Sequence, residues 1–190
     1  MKQQPSEWPA FSLDHFPHEQ NQSHNLCLIT GDIGVGKTTW CQGWIDAARA
    51  DGWRVGGLLS LPIMADGQKI AIDLVDLASG EQRRLAQLRR NEANPDAVTT
   101  GKWLFDTAVL TWGNEILRRV TAVDLLIIDE LGPLELERGQ GLQAAFELIA
   151  AGNYRMAGVV IRPSLIPLAQ QRWPASQPVL ITRKDADSHD

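Results

Sequence analysis

The segment Gly31-Asp32-Ile33-Gly34-Val35-Gly36-Lys37-Thr38 is the most informative part of this chain. It matches the pattern G-x-x-x-x-G-K-[S/T] at every fixed position. Glycines let such a loop turn tightly, with backbone N–H groups aimed inward at phosphate oxygens. The Lys37 ammonium is expected to reach the terminal phosphates, and the Thr38 hydroxyl to ligate Mg²⁺. The segment therefore predicts a loop that binds the phosphates of a nucleotide.

The residues on either side of this segment support that prediction. Residues 26–30 form a short apolar run ended by glycine, which is typical of a buried strand. Residues 37–50 carry apolar side chains at helical spacing, and Asp51-Gly52 predicts the end of that helix. A helix that begins here adds its positive dipole end to the phosphate site. The alternative, a purely structural glycine-rich turn, does not require a strand before the loop and a helix after it.

Two acids follow another apolar run. Residues 125–128 are Leu-Leu-Ile-Ile, the pattern of a strand buried on both faces, and Asp129 and Glu130 come directly after them. Ligands of open α/β sheets bind at the carboxyl ends of the strands. We therefore expect Asp129 to hold Mg²⁺ and Glu130 to polarise the water that attacks the terminal phosphate. The alternative is a solvated pair of acids at a strand end.

Strands and helices alternate along the chain. The predicted helices cover residues 37–50, 107–119 and 141–151, and residues 81–90 are compatible with a helix. The predicted strands cover residues 26–30, 53–61, 69–77, 123–128, 156–161 and 179–182. This order predicts a three-layer α/β fold with a mostly parallel sheet and a β-hairpin inserted after the first helix. The predicted domain covers residues 26–183, between a flexible N-terminal extension (1–25) and a polar tail (184–190).

The composition disfavours several classes of protein. Among 190 residues, 18 Lys and Arg stand against 23 Asp and Glu, a net charge of −5. No overall basic field attracts a polyanion, so a nucleic-acid partner is disfavoured. No apolar run reaches the roughly 18 residues of a membrane helix, and no signal-peptide pattern is present. We therefore expect a cytoplasmic protein without a membrane partner. Cys27 and Cys41 match no zinc pattern and are expected to be buried thiols.

Several further segments resemble one known family. These are residues 56–59 (GGLL), 73–81 (DLVDLASGE), 101–103 (GKW) and 127–136 (IIDELGPLEL). Together with Gly31–Thr39 they run in order over most of residues 26–162, and they resemble the THEP1-like nucleoside-triphosphatases. The resemblance implies a P-loop fold and Mg²⁺-dependent hydrolysis of nucleoside triphosphates to diphosphate and phosphate, with broad base tolerance. The chain departs from the family pattern at residues 64–72, where only Lys69 keeps the positive charge of the family's arginines.

These observations give the predicted site residues. Glu130 and Lys37 are predicted to be catalytic, and Thr38 and Asp129 to bind the metal. The predicted nucleotide-binding residues are Gly31, Asp32, Ile33, Gly34, Val35, Gly36, Lys37, Thr38, Thr39 and Arg162. Arg162 follows the apolar run 159–161, so it is expected at the ligand edge of the sheet, either near phosphate or base or on the rim. The basic cluster Arg83, Arg84, Arg89 and Arg90 is interpreted as a solvated helix face or, alternatively, as a lid over the phosphates.

Nucleoside-triphosphate hydrolysis is thus the leading functional hypothesis. One alternative is a small-molecule or nucleotide kinase, in which residues 80–96 cover an acceptor. Another is a nucleotide-dependent switch or assembly ATPase that acts through a protein partner.

Overall fold

The computed structural model of the chain describes residues 25–89 and 98–182. Its strands are β1 (Asn25–Thr30), β2 (Val55–Ala65), β3 (Gln68–Asp76), β4 (Gln82–Leu88), β5 (Val98–Thr100), β6 (Trp103–Phe105), β7 (Val123–Leu131), β8 (Tyr154–Ile161) and β9 (Gln177–Leu180). Its helices are α1 (Lys37–Ala50), α2 (Thr107–Arg119), α3 (Pro133–Leu136), α4 (Ala144–Ala151) and α5 (Ile166–Arg172). The predicted N-terminal extension, apart from residue 25, lies outside the described residues. So do the polar tail, the predicted domain end at residue 183, Arg90 and residues 91–96 of the predicted acceptor lid.

All the described strands form one sheet, in the order β5-β6-β4-β3-β2-β7-β8-β1-β9. The strands β2, β7, β8, β1 and β9 run parallel to their neighbours and form a contiguous block. The remaining strands, β3, β4, β6 and β5, extend this block with antiparallel pairing. Because β2 itself pairs with β7, the predicted hairpin is part of the main sheet rather than an insertion outside it.

Helices cover both faces of the sheet, which confirms the predicted α/β fold. On one face α1 buries Cys41, Trp44, Ile45 and Ala48 against sheet residues such as Leu125 and Ile127. On the other face α2, α4 and α5 pack against the alternate sheet residues, among them Leu126 and Ile128. Parallel strands buried on both faces read as continuous apolar runs, as residues 125–128 do. Among the described helices, none has both the length and the apolar character that crossing a lipid bilayer requires.

The parallel block contains one very close backbone contact. Gly57 lies in β2 with φ +108°, and a Cβ placed there would be 1.9 Å from the carbonyl oxygen of Ile127 in β7. A side chain at this position would therefore push apart the two strands. The pair Gly56-Gly57 allows β2 to approach the strand that carries the two acids.

Several predicted elements were wrong in extent or type. Within the predicted helix 81–90, residues 82–88 form strand β4 instead, which pairs with β3 and β6. The β2–β3 connection is only the Asp66-Gly67 turn, since β2 continues through Pro62 to Ala65. β7 runs on to Leu131, so the two acids lie inside the strand rather than after it. The helix predicted over 141–151 begins at Ala144, and the two short helices α3 and α5 were not predicted.

Candidate active site at the carboxyl edge of the sheet

The glycine loop, residues 31–38, connects β1 to α1 as the sequence predicts. Gly31 (φ +149°) and Gly36 (φ +99°) adopt backbone conformations that side-chain-bearing residues rarely take. A Cβ on Gly31 would also be 2.5 Å from the carbonyl oxygen of Ile181, directly after β9. Gly36 caps α1, where the Trp40 N–H donates to its carbonyl oxygen at 2.8 Å. The glycines are therefore required by local geometry.

The other positions of the loop divide into one anchor and an exposed tip. Val35 is buried in the core beneath α1, and its N–H donates to the Asp32 carbonyl oxygen at 3.3 Å. The Ile33 side chain is 93% exposed at the tip, and Asp32, Gly34 and Thr39 are also exposed. Val35 thus anchors the loop to the core, whereas the tip of the loop is exposed and accessible to a ligand.

The Lys37 side chain folds back over the loop that precedes it. Its ammonium donates hydrogen bonds to the carbonyl oxygens of Gly31 (2.7 Å) and Asp32 (2.8 Å). Burial lowers the pKa of this ammonium, whereas the carboxylates of Glu130 and Asp129 act in the opposite direction. The lysine and the two acids therefore share one electrostatic environment, although they are distant in the chain.

Asp129 is almost completely buried, with 3% of its surface exposed. Its Oδ2 accepts a hydrogen bond from the backbone N–H of Ser60 at 3.1 Å, and its side chain also bonds the Thr38 hydroxyl. Burial raises the pKa of this carboxyl to about 6, and the bonds from Thr38 and Ser60 limit the rise. The Ser60 hydroxyl donates to the Asp129 carbonyl oxygen at 3.0 Å, so β2 fixes both the backbone and the side chain of the acid.

Thr38 and Asp129 suit a magnesium ion by their chemistry. A hydroxyl and a carboxylate meet at one point, and hard oxygen ligands are those that Mg²⁺ prefers. Within the described residues no three His, Cys, Asp or Glu side chains form a metal-binding group. Mg²⁺ is commonly held by one or two protein oxygens together with water and substrate phosphates, so this pair fits the ion without a larger cluster.

Glu130 has an unusual backbone for a residue inside a strand. Its φ is +77°, and the pairing of β7 with β8 shifts register between Ile128 and Leu131. Such a bulge redirects the side chain that it carries. The carboxylate oxygen Oε1 accepts hydrogen bonds from Arg162 Nε (3.0 Å) and Nη2 (2.5 Å). The structure thus brings Arg162 to the second acid.

A third carboxylate stabilises the segment after the two acids. Glu135 in α3 is buried, and it accepts hydrogen bonds from the backbone N–H groups of Gly132 (2.9 Å) and Leu142 (3.2 Å). Burial raises the pKa of its carboxyl, and these bonds oppose that rise. Glu135 therefore ties the end of β7 to the start of α4.

Two arginines of the basic cluster, Arg83 and Arg84, contact separate partners close to strand β4. Arg84 forms an ion pair with the buried Asp73, and Arg83 bonds Glu81 at 2.8 Å. The Arg83 guanidinium also lies 4.5 Å from the ring centre of Trp112. Both arginines belong to β4, so at these two positions a strand replaces the predicted helix face.

The structure therefore gathers Lys37, Thr38, Asp129, Glu130 and Arg162 around one edge of the sheet. Sequence reasoning missed the supporting residues Ser60 and Glu135. Serine within an apolar strand carries no signal of its contact with an acid 69 positions away. Glu135 does have a signal, since it stands three residues after Gly132 as in a capping box.

Comparison with known proteins gives the family of this chain. A family model described as NTPase matches residues 26–185. The nucleoside-triphosphatase THEP1 of Archaeoglobus fulgidus is 37% identical over 110 residues, which are 57% of this chain and 61% of that protein. The THEP1 of Thermococcus kodakarensis is 31% identical over 134 residues, 70% of this chain and 74% of that protein. The match therefore spans about three fifths of the length of the first of these relatives.

A solved structure shares the fold. The solution structure of a human cancer-related nucleoside triphosphatase superposes with a TM-score of 0.65, covering 87% of this chain and 92% of that one. Its sequence is 22% identical, so this likeness supports the fold alone.

Proposed function

The chain belongs to the NTPase family whose model spans residues 26–185, and on that premise we propose that it hydrolyses nucleoside triphosphates to nucleoside diphosphate and phosphate. One observation carries the proposal: the glycine loop, the buried Asp129 and the half-exposed Glu130 converge on the same sheet edge. The loop alone would support nucleotide binding. The additional acid supports hydrolysis, because water needs a group that accepts its proton.

The phosphates are expected to occupy the concave side of the glycine loop. Backbone N–H groups at residues 31–39 and the N-terminus of α1 would donate to phosphate oxygens. The Lys37 ammonium would exchange the carbonyl oxygens of Gly31 and Asp32 for oxygens of the terminal phosphates. Arg162, directly after the strand that lies between the loop and the acids, would reach the outermost phosphate.

Thr38 and Asp129 are the residues that would hold Mg²⁺. When bound, the ion neutralises phosphate charge and so favours the transition state. The two hydrogen bonds from Ser60 keep Asp129 in place for that role.

Glu130 is proposed as the general base. The water oxygen forms a bond to the γ-phosphorus while the bond from that phosphorus to the β,γ-bridging oxygen breaks. The proton of the water passes to the Glu130 carboxylate, and the nucleoside diphosphate leaves with the bridging oxygen. Lys37 offsets the negative charge that collects on the leaving group. No step of this scheme requires a contact to the nucleobase, which agrees with the broad tolerance of nucleobases that the family resemblance implies.

A phosphate-release assay tests the proposal. The 190-residue chain with Mg²⁺ should release phosphate from ATP, GTP, CTP and UTP, and omission of Mg²⁺ should abolish release. Terminally labelled ATP incubated with a metabolite extract separates hydrolysis from phosphotransfer. Label in free phosphate alone supports a hydrolase, whereas label in an organic product would replace the proposal with a kinase.

A further inference from the structure

The ion pair between Arg162 and Glu130 occupies the acid that the proposed reaction needs. Both Arg162 donors bond the same carboxylate oxygen, Oε1, at 3.0 and 2.5 Å. Because two guanidinium donors occupy Oε1, that oxygen is not available to bond a water molecule. In this arrangement Arg162 therefore holds the Glu130 carboxylate, which is not free to bond an attacking water.

The exposure of this ion pair makes it easy to separate. The side chains of Arg162 and Glu130 are 39% and 34% exposed, and exposed ion pairs contribute little to stability. Only a modest competing interaction is needed to separate them.

The γ-phosphate of a bound nucleotide is the competing partner, because Arg162 lies between the acids and the glycine loop. Arg162 directly follows β8, which lies between β7 with its acids and β1 with the glycine loop. Pro163 comes next and keeps the arginine backbone extended, at φ −65° and ψ 145°. A γ-phosphate in the loop would carry about two negative charges and offer paired oxygens, which match a guanidinium better than a single carboxylate oxygen does.

We propose that Arg162 is a positioning residue that couples Glu130 to the presence of a γ-phosphate. Without nucleotide, Arg162 holds the Glu130 carboxylate. A bound triphosphate takes the guanidinium over, and Glu130 is freed to accept the proton of the attacking water. A nucleoside diphosphate lacks the competing group and leaves the pair intact. This inference rests on the proposed function, because it assumes that triphosphates bind at the glycine loop.

A double-mutant cycle on binding tests the exchange. Wild type, E130Q, R162Q and the double variant are titrated with the β,γ-imido analogue of ATP and with ADP, both in the presence of Mg²⁺. The quantity compared is the preference for triphosphate over diphosphate. The analogue is not hydrolysed, so the measurement is independent of catalytic rate.

The sign of the coupling decides the outcome. If the pair must break, E130Q removes that obstacle and raises the triphosphate preference by about threefold to fivefold more in the wild-type background than in the R162Q background. If the pair persists in the complex, Arg162 shields Glu130 from the phosphate, and E130Q then helps more in the R162Q background. Equal gains, or the larger gain in the R162Q background, would overturn the proposal.

Two controls keep the result interpretable. Arg155 lies near the opposite end of β8, about 23 Å from Arg162, and R155Q should leave both nucleotide affinities unchanged. R162K retains the charge but not the fork and should give a coupling of the same sign and smaller size. Should the wild-type chain bind neither nucleotide, the proposed function itself fails. Binding with the opposite coupling refutes only the exchange.

Discussion

Glu130→Gln is expected to separate nucleotide binding from hydrolysis. The substitution removes the carboxylate that is to accept a proton, and with it the ion pair to Arg162, while the amide keeps the side chain's shape. Because the pair is half-exposed, its loss should lower the free energy of unfolding by no more than about 1 kcal/mol. A general base contributes about 10²- to 10⁴-fold to rate, which corresponds to about 3–5 kcal/mol of activation free energy.

The expected result is therefore a large fall in kcat with a nearly unchanged unfolding curve. Phosphate release at saturating ATP and Mg²⁺ measures the first, and urea unfolding measures the second. Glu147→Gln is the matched control, since this glutamate is exposed on α4 and should affect neither. A fall in kcat of less than about tenfold in Glu130→Gln would remove the residue from the chemical step and refute this reasoning.

Three further predictions follow from the loop, the strand contact and the thiols. Lys37→Ala should weaken binding of the triphosphate analogue by about 30-fold, because the charge-assisted hydrogen bonds from the ammonium to the phosphates are lost. Titration calorimetry measures this change in affinity. Gly57→Ala should lower the free energy of unfolding by about 3 kcal/mol or more, because its Cβ meets a β7 carbonyl oxygen, and urea unfolding checks this. Gly67→Ala, with a positive φ but open space around it, should lose only about 1 kcal/mol, and equal losses would contradict the contact argument. Burial raises the pKa of Cys27 to about 11 and that of Cys41 well above its usual value, so at pH 8 both stay protonated and unreactive. Ellman's reagent should detect no thiol in the native chain and two after denaturation, and rapid reaction of the native chain would show that they are accessible.

Local patterns predicted the centre of this molecule well. The glycine loop, α1 and the core of β7 each depend on a short segment whose residue types fix its conformation. Residues 82–88 show the opposite case. Their Gln, Arg, Leu and Ala favour a helix by intrinsic propensity, but pairing with β3 outweighs that preference. Opposite Ile72 and Asp73 the register shifts, and Leu85 of β4 has no opposite residue in β3. This irregularity disturbs the apolar–polar alternation that would have marked β4 as a strand.

Contacts at the site depended on strand order, which no local pattern contains. Arg162 was expected at the ligand edge, and the structure places it there. Its bond to Glu130 requires β8 to lie beside β7, a consequence of how the whole sheet is assembled. The contact between Ser60 and Asp129 depends in the same way on the neighbouring pair β2 and β7.

The folded-back Lys37 has a consequence for the energetics of ligand capture. By bridging two carbonyl groups, the ammonium keeps the glycine-rich backbone in a defined shape before any phosphate arrives. Ordering a flexible loop on binding would cost conformational entropy, and that cost falls when the loop is preorganised. Association should then resemble an exchange of partners by one cation, with little rearrangement of the main chain and a correspondingly small entropic penalty.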